Sequence, residues 1–120
     1  MGQTRFSALA TSALPFNDAT GYKAIPVDTG CAVLTKGSAG TDYTLVAPIA
    51  GDYKAGGQDG LELSIFTTTA YQHVVTVGAG KVNGATNGTL TWAAAVGNGV
   101  ILKAYNGVWY VISNIGVTVG

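Results

Sequence analysis

The dipeptide Asn106-Gly107 is the feature of this chain that most restricts how it can fold. Both residues tolerate the positive φ angles of a type I′ turn, and the twist of that turn matches the twist of two paired strands. Runs rich in β-branched and aromatic residues flank the dipeptide, at residues 100–105 and 108–113. The sequence therefore predicts an antiparallel β-hairpin at this position.

The second strand of this hairpin is predicted to be apolar on both faces. Side chains alternate along a strand, so Val108, Tyr110 and Ile112 share one face while Trp109 and Val111 share the other. A domain of this size has one core, which covers one of the two faces. We expect the other face to be covered from outside, with another copy of the chain as one candidate.

Short alternating segments also occur through the rest of the chain from Cys31 onward. Glycine-rich loops separate the candidate strands, which are residues 31–35, 43–47, 61–66, 72–78, 90–94 and 117–119. About eight short strands at this spacing predict an all-β fold, either an antiparallel β-sandwich, a jelly-roll-like domain or a barrel. The pattern shows no helix of ordinary length and no internal repeat. We assign residues 31–120 to this domain, as an antiparallel sandwich or jelly-roll-like fold.

Residues 1–30 lack a sustained hydrophobic period and are predicted to be an extended N-terminal arm. Pro15 and Pro26 interrupt regular structure, and residues 8–14 could form at most a turn of helix. A disordered tail is the alternative, but this segment is more apolar than a solvated tail usually is. The residues expected to contact a neighbouring protein are Phe6, Leu14, Phe16, Tyr22 and Ile25.

The charge content argues against several classes of partner. Only 10% of the residues are charged, against roughly 25% in an average protein. The six basic residues are scattered singly and balance six acidic ones, which does not favour nucleic-acid binding. No apolar run reaches a membrane span or a signal-peptide core, so we expect synthesis in the cytoplasm. So few charges favour burial in an oligomer or a larger assembly.

The sequence predicts no catalytic residues, no cofactor and no metal site. His73 is the only histidine and Cys31 the only cysteine, and both are expected to be packed side chains. The glycine-rich segment 78–82 lacks the residues of a phosphate-binding loop. Asp59 and Glu62 are the only close pair of acids, and they are expected to lie in a loop and on a solvated strand face. We therefore expect no enzymatic activity.

Five segments, taken in their order, resemble a known family. They are Thr44-Leu-Val-Ala-Pro-Ile-Ala-Gly51, Asp59-Gly-Leu-Glu-Leu-Ser-Ile65, His73-Val-Val-Thr76, Asn106-Gly-Val-Trp-Tyr-Val111 and Gly116-Val-Thr-Val119. In this order they resemble the small head decoration (cement) proteins of tailed bacteriophages and the related modules of head spikes and tail fibres. The resemblance covers about the last two thirds of the chain and leaves out the first 30 or so residues.

This resemblance implies a trimeric, all-β structural protein of the virion without enzymatic activity. Such a capsid decoration subunit sits on the capsid exterior and holds neighbouring copies of the major capsid protein together. Under this hypothesis Trp92, Trp109, Tyr110 and Ile112 supply core and trimer contacts, and the N-terminal arm contacts the shell.

The alternative hypothesis is a host-receptor or glycan-binding module of a phage spike or tail fibre. It predicts exposed aromatic side chains in loops, and Tyr53 and Tyr71 are the best candidates.

Overall fold

The fold consists of short strands joined by loops and turns. The computed structural model describes residues 13–16, 24–27 and 30–120. Its strands are β1 (Ala13–Phe16), β2 (Cys31–Leu34), β3 (Gly40–Thr44), β4 (Glu62–Thr67), β5 (His73–Thr76), β6 (Thr89–Trp92), β7 (Gly99–Tyr105), β8 (Val108–Ile115) and β9 (Val117–Val119). The only helical element among the described residues is a single 3-10 turn, Tyr53–Ala55. The predicted all-β class is therefore confirmed.

The strands form two sheets that share one hydrophobic core. The first sheet has five strands in the order β1-β2-β4-β7-β8, and the second has four in the order β3-β5-β6-β9. Buried side chains from both sheets belong to one cluster, to which Leu34, Leu63 and Leu102 contribute from the first sheet and Val75 and Leu90 from the second. The arrangement is sandwich-like.

The strand pairing is mixed, whereas the sequence pattern predicted an antiparallel fold. β1 pairs with β2, β2 with β4, and β3 with β5, all in parallel. Parallel neighbours need a crossover connection, and this chain makes one by alternating between sheets, since β3 lies between β2 and β4 in sequence but in the other sheet. Alternation within a strand says nothing about the direction of its neighbour.

The predicted hairpin is present and consists of β7 and β8. Tyr105 pairs with Val108, and the turn residues Asn106 and Gly107 have φ angles of 51° and 81°. Further along, the register shifts by one residue, so that Leu102 pairs with Val111 and Ile101 with Ser113. Ile112 is therefore the extra residue of a β-bulge, and the simple alternation predicted for this strand ends there.

β3 lies a few residues earlier than the predicted strand 43–47. The strand ends at Thr44. Leu45 N still donates to Thr76 O at 3.0 Å, but Val46 O accepts a hydrogen bond from the indole Nε1 of Trp109 at 2.9 Å. The segment after β3 therefore joins the two sheets instead of extending one of them.

Two pieces of the segment predicted to be an arm belong to the β fold. Ala13–Phe16 forms β1 at the edge of the five-stranded sheet, where the sequence allowed at most a turn of helix. Ile25 is 3% exposed within the core, and its N donates to Thr44 O at 2.9 Å. Phe6 and Tyr22, together with the first part of the possible helical turn, lie outside the described residues.

Candidate functional site

The five-stranded sheet has one face toward the core and one toward solvent. We use "outer face" for the side chains of β2, β4, β7 and β8 that point away from the core. In one row of this face Val33, Phe66, Gly99 and Ile115 are register neighbours on four adjacent strands. The row carries no polar side chain, whereas the water-facing side of a sheet usually carries polar residues.

A depression interrupts this row at Gly99. It has a volume of about 240 Å³, and its walls include Phe66, Ile101 and Ile115. A Cβ atom at position 99 would lie 2.7 Å from Ile65 O and 2.8 Å from Phe66 Cβ, so no larger residue fits without a shift of β4. The packing between β4 and β7 thus explains both the glycine and the hollow above it.

The side chains of β8 make the outer face more apolar toward that edge of the sheet. Ile112 is 55% exposed and Ile115 is 65% exposed, and Tyr110 is exposed as well. The next row of the face is mixed, since Ile101 has Ser64 and Ser113 as register neighbours, and the row beyond it includes Glu62 and Lys103, register partners of opposite charge. Exposed apolar side chains that adjoin one another in this way typically mark an interaction surface.

The free edge of β8 is partly covered by the chain itself. Trp109 N donates to Lys81 O at 2.9 Å, and Asn83 N donates to Trp109 O at 2.9 Å. The side chain of Asn83 accepts a third hydrogen bond, from Val111 N at 2.9 Å. Because these groups already have partners, the first half of β8 cannot pair with a strand of another molecule. This part of the edge is therefore closed to strand pairing, whereas the outer face carries exposed side chains.

The structure separates the four residues that were predicted to make core and trimer contacts. Trp92 and Trp109 are fully buried, and Trp92 Nε1 donates to Asn98 O at 2.9 Å. Both indoles are core residues and offer no surface for another molecule. Tyr110 and Ile112 lie on the exposed side and remain available for a contact.

Sequence reasoning missed two members of the outer face, Phe66 and Ile115. Phe66 had a recognisable signal, because it follows Glu62 and Ser64 on the predicted solvent side of its strand and is apolar. Ile115 had none, because the bulge at Ile112 decides which way it points.

The single histidine is part of the interior. His73 is fully buried, and its Nε2 lies 2.9 Å from the hydroxyl oxygen of Thr69. Its ring packs edge-on against Tyr43, with 6.0 Å between the ring centroids. The expectation of a packed, hydrogen-bonded histidine is therefore met. Among the residues that the structure describes, His, Cys, Asp and Glu form no group of three or more that could hold a metal ion.

A second surface lies at the loop between β3 and β4. Tyr53 is 75% exposed there, beside a depression of about 390 Å³ that is also lined by Gly57, Gln58, Asp59 and Leu61. This is the more polar of the two depressions, since an amide and a carboxylate form part of its wall.

The comparisons with known proteins add no relatives to this description. No protein-family model matches the chain, and neither a curated protein nor a solved structure matches it. Within the described part of the chain, no helix is long and apolar enough to cross a membrane.

Proposed function

We propose that this chain is a structural virion protein, a capsid decoration (cement) subunit that binds the outer surface of a phage head and stabilises the shell. The ordered resemblance of five segments to such proteins motivates the proposal. The observation that carries it is the apolar outer face, with Ile112 and Ile115 each more than half exposed. The free energy falls when a protein partner removes such a side chain from water.

The outer face is assigned to self-association, in a homotrimer as the resemblance implies. Its apolar side chains lie on four neighbouring strands, and hydrogen bonds within the chain already occupy the first half of the β8 edge. Tyr110 and Ile112 remain candidates for the trimer contact, and the exposed side chains of Phe66 and Ile115 are added to them.

The capsid contact is assigned to the N-terminal segment, with the major capsid protein as partner. The candidates remain Phe6, Leu14, Phe16 and Tyr22, whereas Ile25 already serves the core of its own chain. The proposed location is the exterior of the virion, after synthesis in the host cytoplasm. A subunit that binds the assembled lattice more tightly than free capsid protein stabilises the shell by mass action.

The trimer is tested by measuring the solution mass of the full-length protein by light scattering at several concentrations. We expect a mass of three chains that does not change with dilution. The double variant Ile112→Ser, Ile115→Ser should dissociate, since it removes two exposed apolar side chains from the outer face. The matched control is Val96→Ser, because Val96 is equally exposed but lies in the connection between β6 and β7. A monomeric wild-type protein would contradict the assignment.

The capsid role is tested on shells of the phage that encodes the chain, stripped of this protein. The purified protein should cosediment with the shells and raise their melting temperature, and the double variant Phe6→Ala, Tyr22→Ala should bind more weakly. If intact and stripped shells melt at the same temperature, the protein does not act as a cement.

The alternative function is a host-receptor or glycan-binding module of a spike or tail fibre. The exposure of Tyr53 (75%) and Tyr71 (43%) supports it, because both aromatic rings lie in loops and are accessible to a ligand. Fluorescently labelled protein should then bind host cells and fail to bind stripped shells. Binding to shells alone would reject this alternative.

A further inference from the structure

The loop between β3 and β4 is held in one conformation by its own hydrogen bonds. Gln58 N donates to Ile49 O at 2.7 Å, and Asp59 N donates to Gly51 O at 3.0 Å. Gly57 packs directly on Gly51, so closely that a Cβ atom at position 57 would lie 2.1 Å from Gly51 O. The depression beside Tyr53 is therefore preformed, which lowers the entropic cost of ordering the loop when a ligand binds.

The same hydrogen bonds orient two polar side chains at the wall of this depression. The Oε1 atom of Gln58 accepts from Ile49 N at 2.7 Å. The Oδ1 atom of Asp59 accepts from Gly51 N at 3.1 Å and from Asn106 N at 2.8 Å. Within the residues that the structure describes, Gln58 Nε2 and Asp59 Oδ2 have no hydrogen-bond partner in the protein. A fixed donor and a fixed acceptor thus remain for a ligand.

These groups define the chemistry of the ligand. We propose that Tyr53, Gln58 and Asp59 form a binding site for a neutral hexopyranose. Adjacent hydroxyl groups of a sugar accept from an amide and donate to a carboxylate, and the apolar C–H face of a pyranose packs on an aromatic ring. The depression has a volume of about 390 Å³, which is room for one sugar unit.

The charges of the loop favour a neutral sugar over an acidic one. Asp52 and Asp59 give two negative charges, against one positive charge on Lys54. An acidic sugar would bring a carboxylate toward Asp59, and two carboxylates repel each other in this arrangement. The proposal names the ligand class of the alternative, glycan-binding function and does not rest on the capsid assignment.

The test uses methyl glycosides of glucose, galactose, mannose and N-acetylglucosamine, with sialyllactose as the acidic comparison. The full-length protein is titrated with each in ¹H–¹⁵N NMR spectra. We expect at least one neutral glycoside to bind with a Kd of about 1 mM or somewhat weaker, as is usual for a small ligand with few contacts. The amide shifts should concentrate in residues 53–61.

Variants then locate the site. Tyr53→Ala should weaken binding at least tenfold, whereas Tyr53→Trp should retain it because the aromatic surface remains. Tyr105→Ala is the matched control, since Tyr105 is similarly exposed but does not line the depression. Equal melting temperatures of these variants exclude a folding defect.

Three results would overturn the proposal: no binding of any neutral glycoside, preferential binding of sialyllactose, or unchanged binding by Tyr53→Ala. None of them would affect the trimer or the capsid contact, which depend on other residues. Conversely, if the protein is monomeric and does not bind shells, the capsid proposal fails but the proposed sugar site is not contradicted.

Discussion

Asn83 covers the edge of β8 by accepting a hydrogen bond from Val111 N at its side-chain oxygen, at 2.9 Å. Asn83 adopts a φ angle of 50°, a left-handed conformation that asparagine tolerates better than most residues. One residue therefore serves both the turn after Val82 and the protection of an exposed strand edge.

Asn83→Ala should destabilise the protein and expose this edge. The substitution removes the acceptor for Val111 N, which is worth about 1 kcal/mol, and adds strain in the left-handed conformation of about 1 kcal/mol. Urea unfolding should show the loss, and light scattering should show aggregation that increases with concentration. Asn83→Asp keeps the acceptor and is the control. Equal stability of the alanine variant and the wild type would refute the edge-covering role.

The buried contact between His73 and Thr69 predicts a second stability effect. The Thr69 hydroxyl has one proton and donates it to Lys36 O at 2.7 Å, so it accepts from the Nε2–H of His73. Thr69→Val has nearly the same shape but leaves the buried imidazole and Lys36 O without this partner, and should lower the free energy of unfolding by about 1–3 kcal/mol.

The control for this prediction is Thr68→Val, because Thr68 is an exposed neighbour whose backbone N still donates to Leu34 O. It should change the free energy of unfolding by less than about 0.5 kcal/mol. ¹⁵N NMR of the imidazole should show the proton on Nε2. A proton on Nδ1 alone would contradict the assigned hydrogen-bond direction.

The parts of the fold that local chemistry decides could be predicted from the sequence. The Asn106-Gly107 turn follows from residues that accept positive φ angles, and the burial of His73 and Val75 follows from alternation along one strand. The parallel pairs could not be predicted, because the direction of a neighbouring strand depends on crossovers that span both sheets.

Both candidate surfaces depend on contacts between distant residues, which explains why the sequence revealed them only in part. The exposure of Tyr53 was expected. The Asp59 carboxylate accepts one hydrogen bond from Gly51 N within the same loop, but the other comes from Asn106 N, 47 residues further along the chain. Likewise, the hollow at Gly99 exists because Phe66 lies beside it on another strand. No local pattern contains either relationship.

Cys31 should react slowly with thiol reagents in the folded protein. Partial burial raises the pKa of its thiol, because removal from water disfavours the charged thiolate. A raised pKa means less thiolate at a given pH, so the rate of reaction with a disulfide reagent should reach half its maximum at a higher pH than in urea. The unfolded protein in urea is the control, and a midpoint that is equal or lower in the folded protein would contradict the prediction.

Gly99→Ala tests the packing beneath the outer face. Its Cβ atom would meet Ile65 O and Phe66 Cβ within 2.8 Å, so β4 or β7 must shift, and we expect a destabilisation of about 1–3 kcal/mol in urea unfolding. The added methyl group also fills part of the hollow between Phe66 and Ile115 and should weaken the proposed trimer. Gly37→Ala is the matched control, because a Cβ atom there would meet nothing within 4 Å. If both variants unfold at the same urea concentration, the close approach of β4 to β7 at Gly99 does not constrain the fold.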